Sequence, residues 1–279
     1  MKGQRPRGRL LLVTALALFA ITSSIAGASA ANINGRVKVN GHKLHLECKG
    51  SGSPTVVFEA GSGEPSSDWD ETIRSLSKAH VRLCAYDRYG IGASDVPESP
   101  ITRTIEESVT DKHDLLAAAG VKGPYILVSH SLGGLIDRYY AKVYPGQVVG
   151  AVMIETAPDD WNIYTHDDSF EESPLVDLSI ATASLALRSS DRLGKRPLVV
   201  IEAEWSNVAE SPKYWNKRQR SLAKISSNSI FFVAKETDHM VPFESPKLVA
   251  KSIQLVVTSA RRHKHLPSCK AAKLAGARC

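Results

Sequence analysis

Tyr125-Ile126-Leu127-Val128-Ser129-His130-Ser131-Leu132-Gly133-Gly134 is a short apolar run, a turn of small residues and the start of an amphipathic segment. Tyr125–Val128 reads as a buried strand and Leu132–Val143 as a helix, stopped by Tyr144-Pro145-Gly146. The serine between them fits the pattern Gly-x-Ser-x-Gly, with Ser129 in place of the first glycine. Small flanking residues let such a turn close without a Cβ clash. The Ser131 hydroxyl then projects beyond the strand, and the first N–H groups of the helix point at any negative charge developing beside it. Ser131 is therefore the candidate nucleophile. Ser129 is read as structural, and His130 as a packing residue pointing the other way across the turn.

Working outward, strands and helices alternate. Arg36–Val39 and Lys43–Cys48 flank Asn40-Gly41 and read as a hairpin, because Asn-Gly suits a two-residue turn with positive φ. Thr55–Glu59 is a β-branched run ending in Ala60-Gly61-Ser62-Gly63, and Trp69, Ile73 and Leu76 follow at helical spacing. Val81–Tyr86 predicts a strand, and Thr104–Ala119 a helix with Gly120 at its C-terminal cap. Val148–Ile154, Leu198–Ile201 and Ile230–Ala234 are further buried strands. This alternation predicts an α/β fold: a mostly parallel central sheet with helices on both faces and an antiparallel edge. Pro158–Arg196 breaks the rhythm, starts acidic, and is too long for a connector, so a cap insertion with short helices is expected over 158–196. Asp87 and Arg88 read as a pair or as a brace for the loop near the site, and Asp137 as helix-surface charge.

A serine nucleophile needs a base. His239 alone lies in a loop between a late strand and a helix beginning near Glu244, whereas His166 falls in the insertion and His263 and His265 in the basic C-terminus.

These motifs, with Pro54-Thr55-Val56-Val57-Phe58-Glu59-Ala60-Gly61 and Ala85-Tyr86-Asp87-Arg88-Tyr89-Gly90-Ile91-Gly92-Ala93-Ser94-Asp95, make the stretch from about Asn34 to Val257 resemble the α/β-hydrolase superfamily, especially secreted bacterial serine hydrolases of the esterase and lipase type. The resemblance implies a first oxyanion donor from the loop after the third strand. Ala60-Gly61-Ser62 stands where the family usually has His-Gly-x, so the donors would be the backbone N–H groups of Ser62 and Leu132. It also implies that the family's second and fourth strands are neighbours, which would place Cys48 beside Cys84. The third triad member is left open. Most relatives place it after the seventh strand, where Glu204 is close but early and Ser206 holds the usual offset. Some lipases place it after the sixth, where Glu155 stands, with Asp159 nearby. Glu155 is preferred, because a carboxylate ending a buried apolar strand needs a partner such as a histidine.

The composition is that of an ordinary globular protein: 43% hydrophobic and 23% charged residues exclude a chain that is mostly disordered. The net charge of +6 belongs to the ends. It falls to +2 without the four cations of residues 1–30, and to −4 without the six of 261–279. A nucleic-acid partner is therefore not expected, and the basic end, 260–279, is read as a flexible solubilising tail. Met1–Arg9 is basic, Leu10–Ile21 is apolar over 12 residues, and Ala28-Ser29-Ala30 offers a cleavage site. That is a secretory signal (residues 1–30) rather than an anchor, since a bilayer span needs roughly 17–25 residues. Residues 31–259 form the hydrolase domain. In an exported protein, Cys48, Cys84, Cys269 and Cys279 pair as disulfides by default. Proximity couples Cys269 to Cys279 and leaves Cys48 for Cys84.

The expectation is a secreted, monomeric serine hydrolase without cofactor or metal, cleaving an acyl bond of a small-molecule substrate. A carboxylic ester comes first, through Ser131, His239 and Glu155 and an acyl-enzyme. A peptidase of the same fold and a non-catalytic binding protein are the alternatives. Intact-mass analysis of exported material should give a chain beginning at Ala31 and four hydrogens short of the reduced mass. Four free thiols would contradict the pairing.

Overall fold

The computed structural model describes residues 3, 31–162, 169–190, 192–205, 212–272 and 274–279. The expected signal segment lies outside the described residues apart from Gly3, as do His166 and Ser206. In chain order the elements are β1 (Ile33–Val39), β2 (His42–Lys49), β3 (Thr55–Glu59), a 3-10 turn at Ser66–Trp69, α1 (Asp70–Ser75), β4 (Arg82–Tyr86), β5 (Ile101–Thr104), α2 (Ile105–Ala118), β6 (Tyr125–His130), α3 (Gly133–Val143) and β7 (Val148–Ile154). They continue with β8 (Ser169–Ser173), β9 (Val176–Ser179), α4 (Ala181–Ser190), β10 (Leu198–Ala203), α5 (Pro212–Leu222), β11 (Ser229–Ala234), α6 (Val241–Glu244), α7 (Pro246–Arg262), α8 (Cys269–Ala272) and β12 (Ala277–Arg278).

Among the described residues the main sheet has nine strands in the order β1-β2-β4-β3-β6-β7-β10-β11-β12. The six from β4 to β11 run parallel, and β1, β2 and β12 are antiparallel additions at the two edges. Each central strand feeds two cores, because alternate side chains leave opposite faces. Val57, Leu127, Ala151 and Met153 join the cluster under α2 and α3, with Leu115, Leu116 and Leu135. Val56, Phe58, Ile126, Val128, Val152 and Ile154 join the cluster under α1 and α7, with Trp69, Leu248 and Ile253. Double-sided burial explains why these strands read as unbroken apolar runs.

Local chemistry sets the ends of elements. Asn40 and Gly41 both take positive φ and close the β1–β2 hairpin. Thr104 caps α2 through a reciprocal bond with Glu107: the Thr104 hydroxyl accepts from the Glu107 N–H, and the Glu107 carboxylate from the Thr104 N–H. β2 pairs with β4 in a register that sets Cys48 directly opposite Cys84, and the two form a disulfide.

Two regions differ from expectation. The 158–196 insertion carries a β8–β9 hairpin before its helix, and β9 pairs in parallel with β5 to make a second, three-stranded sheet. Strands this short and polar carry little periodicity, so the second sheet forms only because β5 offers an edge. The basic end is folded. The helix of 246–262 runs past the expected boundary, Cys269 bonds Cys279, and β12 adds antiparallel to β11 through Val233↔Arg278 and Ala234↔Ala277.

The Cys48–Cys84 bond closes a loop of 36 residues in sequence separation. Replacing both by alanine should lower the free energy of unfolding by about 3–4 kcal/mol, read from urea denaturation. An unchanged midpoint would show that β2–β4 pairing holds without it.

Candidate active site

The turn after β6 puts Ser131 at φ 50°, a left-handed conformation uncommon for a residue with a side chain. Neighbouring backbone fixes it there. The Ser131 N–H donates to the Ile154 carbonyl at 3.0 Å, and the Ser131 carbonyl accepts from Gly134 and Ala157 N–H groups, each at 3.0 Å. The helix start packs so tightly that only glycine fits. A Cβ on Gly133 would lie 2.5 Å from the Ala60 carbonyl oxygen, and one on Gly134 would lie 2.2 Å from the Thr156 methyl.

Glu155 follows β7, also at positive φ, and is fully buried. Its N–H donates to Ile201 of β10. One carboxylate oxygen accepts from the Ala203 N–H at 2.8 Å, and both accept from the Trp215 indole N–H at 3.1 Å. The second oxygen faces His239 Nδ1 at 3.1 Å. A carboxylate only accepts, so Nδ1 carries the proton and Nε2 is left as the ring's acceptor. His239 lies in the β11–α6 loop, which is tied down by Trp205 N–H to Thr237 O and by Asp238 N–H to the Glu244 carboxylate.

The other expected residues are placed as follows. Glu204 binds Arg278 of β12 at 2.9 Å and the Glu236 N–H at 3.0 Å, fastening the chain's end. Asp159 pairs with Arg138 at 3.2 Å. The Ser62 hydroxyl donates to the Glu171 carbonyl of β8. Among the described residues, the Ser62 and Leu132 N–H groups have no hydrogen-bond acceptor, as an oxyanion donor requires.

Several sequence expectations change. Asp137 is fully buried on α3, paired with the equally buried Lys112 of α2, and is not surface charge. Lys112 also reaches Glu59 at 3.1 Å, and Glu59 accepts from the Tyr86 hydroxyl and from Arg88. Arg88 does brace the loop, through Glu59 and the Ala60 and Gly61 carbonyls rather than through Asp87, which instead accepts from Ser66 and Ala93 N–H groups. Two further acids of the insertion have cation partners: Glu172 pairs with Arg88 at 2.6 Å, and Asp160 with Arg218. Burial alone would lower the Lys112 pKa, but Asp137 and Glu59 lift it above the usual lysine value. His130 does not simply pack. Its Nδ1 faces Glu64 at 2.9 Å and its Nε2 faces the His239 carbonyl at 2.8 Å. Burial lowers its pKa, but the bond and charge of Glu64 carry it above the ordinary histidine value. No sequence spacing reveals this pair, since Glu64 and His239 come from different loops.

Among the described residues no cluster could hold a metal ion, and no helix is long and apolar enough to cross a membrane.

A family model for the alpha/beta hydrolase fold matches residues 54–173. The chain is 29% identical over 226 residues to the uncharacterized protein YqjL of Bacillus subtilis, covering 77% of this chain and 88% of that one. Over 121 residues it is 35% identical to a cis-3-alkyl-4-alkyloxetan-2-one decarboxylase of Shewanella oneidensis, covering 42% of this chain and 36% of that one. Among solved structures, Est1E from Butyrivibrio proteoclasticus, with ferulic acid bound, superposes with a TM-score of 0.63 at 13% identity, covering 82% and 99% of the two chains. At that identity the likeness shows the fold alone.

Glu202, the residue before Ala203, is 4% exposed and accepts from the Asn216 amide at 2.7 Å. Burial first, and the Glu155 carboxylate second, push its pKa up to about 7. The folded protein therefore holds this proton more tightly than the unfolded chain, and the contribution of Glu202 to stability falls as pH rises from about 4.5 to about 7. Glu202→Gln keeps the acceptor for Asn216 without the charge. It should leave the melting point unchanged at pH 4 and stabilise the fold by about 1–2 kcal/mol at pH 8, the full shift being discounted for partial solvent screening. Equal effects at both pH values would contradict the assignment.

Proposed function

Starting from a chain that belongs to the α/β-hydrolase superfamily, we propose that it is a serine hydrolase cleaving a carboxylic ester of a small molecule through Ser131, His239 and Glu155. The observation that carries the reading is the bond between His239 Nδ1 and a fully buried Glu155, whose preceding residue Ile154 accepts from the N–H of Ser131 on a strained strand-to-helix turn. His239 Nε2 takes the proton from Ser131 as its oxygen attacks the ester carbonyl. Glu155 holds the tautomer and stabilises the imidazolium that forms. The Ser62 and Leu132 N–H groups receive the negative oxygen of the tetrahedral intermediate, each worth about 3–4 kcal/mol in comparable sites. The intermediate collapses, the alcohol leaves with the proton from His239, and water, activated by the same ring, hydrolyses the acyl-enzyme. No cofactor or metal enters the scheme. The oxetan-2-one of the Shewanella enzyme's name is itself a cyclic ester, so one relative shares the acyl group class.

The signal-like start at 1–30 and the two disulfides support export, with the mature hydrolase working as a monomer outside the cytoplasm.

Fluorophosphonate labelling tests the nucleophile: wild type should label and Ser131→Ala should not, while still melting cooperatively. Persistent labelling of that variant would remove Ser131 from the mechanism. Glu155→Gln should lower kcat on p-nitrophenyl esters on the order of 10³–10⁴-fold with little change in KM. Glu204→Gln should cost little. A large loss at Glu204 with a small one at Glu155 would reverse the assignment of the acid.

A further inference from the structure

Beside the His239–Glu155 pair stands another buried histidine with a carboxylate. His130, one residue before Ser131, is fully buried, and both of its ring nitrogens face acceptors. Nε2 meets the His239 carbonyl, which can only accept, so Nε2 must carry hydrogen. Nδ1 meets Glu64 Oε2, which already accepts from the Gly61 N–H at 2.7 Å. Against the cost of burial, the bonds from His130 and the Gly61 N–H and the charge of Arg88 hold Glu64 below its ordinary pKa, so it is a carboxylate that only accepts, and Nδ1 carries hydrogen too. The ring thus needs two protons. Its centroid lies 4.7 Å from that of His239.

We propose that His130 and Glu64 form a second histidine–carboxylate pair that positions the base: doubly protonated His130 clamps the loop bearing Ser62 to the backbone of His239. The proposal rests on Ser131, His239 and Glu155 being the triad, and it adds a positioning role to a residue that does not meet substrate. Three loops converge on the one ring system. Glu64 and Gly61 come from the loop after β3, His130 from the end of β6, and His239 from the loop after β11. The oxyanion donor and the base are thereby held by one buried bridge.

The charge has a second effect. The groups facing the His130 ring are Glu64, Asp68, Glu155 and His239, with Arg88 acting on Glu64. A cation beside His239 disfavours a second proton on the base, while Glu155 favours it. His130→Gln removes the cation and leaves the Glu64 carboxylate uncompensated. The acid limb of kcat/KM should then move to higher pH. Looser placement of base and oxyanion loop should lower kcat by about 10–100-fold, with KM within about threefold.

The test has two arms on the full chain. Ring ¹⁵N spectra of histidine-labelled wild type, with His130 assigned by its absence in His130→Gln, should show both ring nitrogens protonated at pH 7. A neutral His130 ring at pH 7 overturns the proposal. If His130→Gln does not fold, Glu64→Gln identifies the signal by shifting it, and the same criterion applies. In the second arm, pH–rate profiles on a p-nitrophenyl ester should show the shifted acid limb and the kcat loss in His130→Gln. A profile and kcat matching wild type overturn the positioning role. If wild type neither labels with fluorophosphonate nor cleaves the ester, the triad reading fails on its own, and the ring-nitrogen spectrum still decides the pair.

Discussion

The Arg88 guanidinium, buried just beyond β4, spends every one of its five N–H donors on protein acceptors: Glu59, the Ala60 and Gly61 carbonyls, and Glu172 twice. The loop that carries Ser62 owes its path to this fork. Two successive carbonyls are turned toward one planar cation, while the Gly61 N–H between them donates to Glu64. Glu172 belongs to β8, so the same cation docks the β8–β9 hairpin onto the main sheet. Lysine could not substitute, because a point charge on a flexible stem lacks the fixed fork.

Burying that cation imposes further requirements. Glu59 neutralises it but also meets Lys112, which meets Asp137 on the elbow helix. Three carboxyl groups, Glu59, Asp137 and Glu172, face two cations. One proton is therefore retained near neutrality, and burial pushes Asp137 up to about 7. Such networks stabilise little relative to an apolar core, but breaking one partner leaves an unpaired buried charge at a cost of about 3–5 kcal/mol. What this one provides is position: β3, β4, α2, α3 and β8 are referenced to a single set of buried charges.

Rigidity also comes from the sheet. Ser131 and Glu155 each hold a left-handed backbone at adjacent strand ends, of the order of 1–3 kcal/mol of strain apiece. Hydrogen bonds from Ser131 to Ile154 and from Glu155 to Ile201 chain the two positions across β6, β7 and β10. Glu155 then sits beneath His239 with Trp215 and Ala203 satisfying its remaining lone pairs, so its burial is compensated.

Periodicity, turn chemistry and one strand–turn–helix motif were enough to read the central strands, the helices flanking them, the nucleophile candidate and the base candidate from residues alone, because those signals are local. Val148–Ile154 is apolar throughout since both its faces are covered, and that is visible in any single strand. The misjudged residues were those whose environment is built from distant segments. Asp137 reads as a surface charge on its own helix until Lys112 of another helix is set against it, and His130 as packing until two loops bring Glu64 and His239 to its ring. The polar hairpin of 169–179 has no period strong enough to announce itself without the β5 edge. Glu155 is the preferred acid on residues alone, as a carboxylate ending a buried apolar strand, with Glu204 and Asp159 left as alternatives. Only the three-dimensional register of β7, β10 and β11 brings Glu155 against a histidine 84 residues away and turns Glu204 outward to Arg278. Residue type and local pattern determined which groups could react. Tertiary structure decided which of them meet, because hydrogen bonds act over about 3 Å and sequence distance says nothing at that scale.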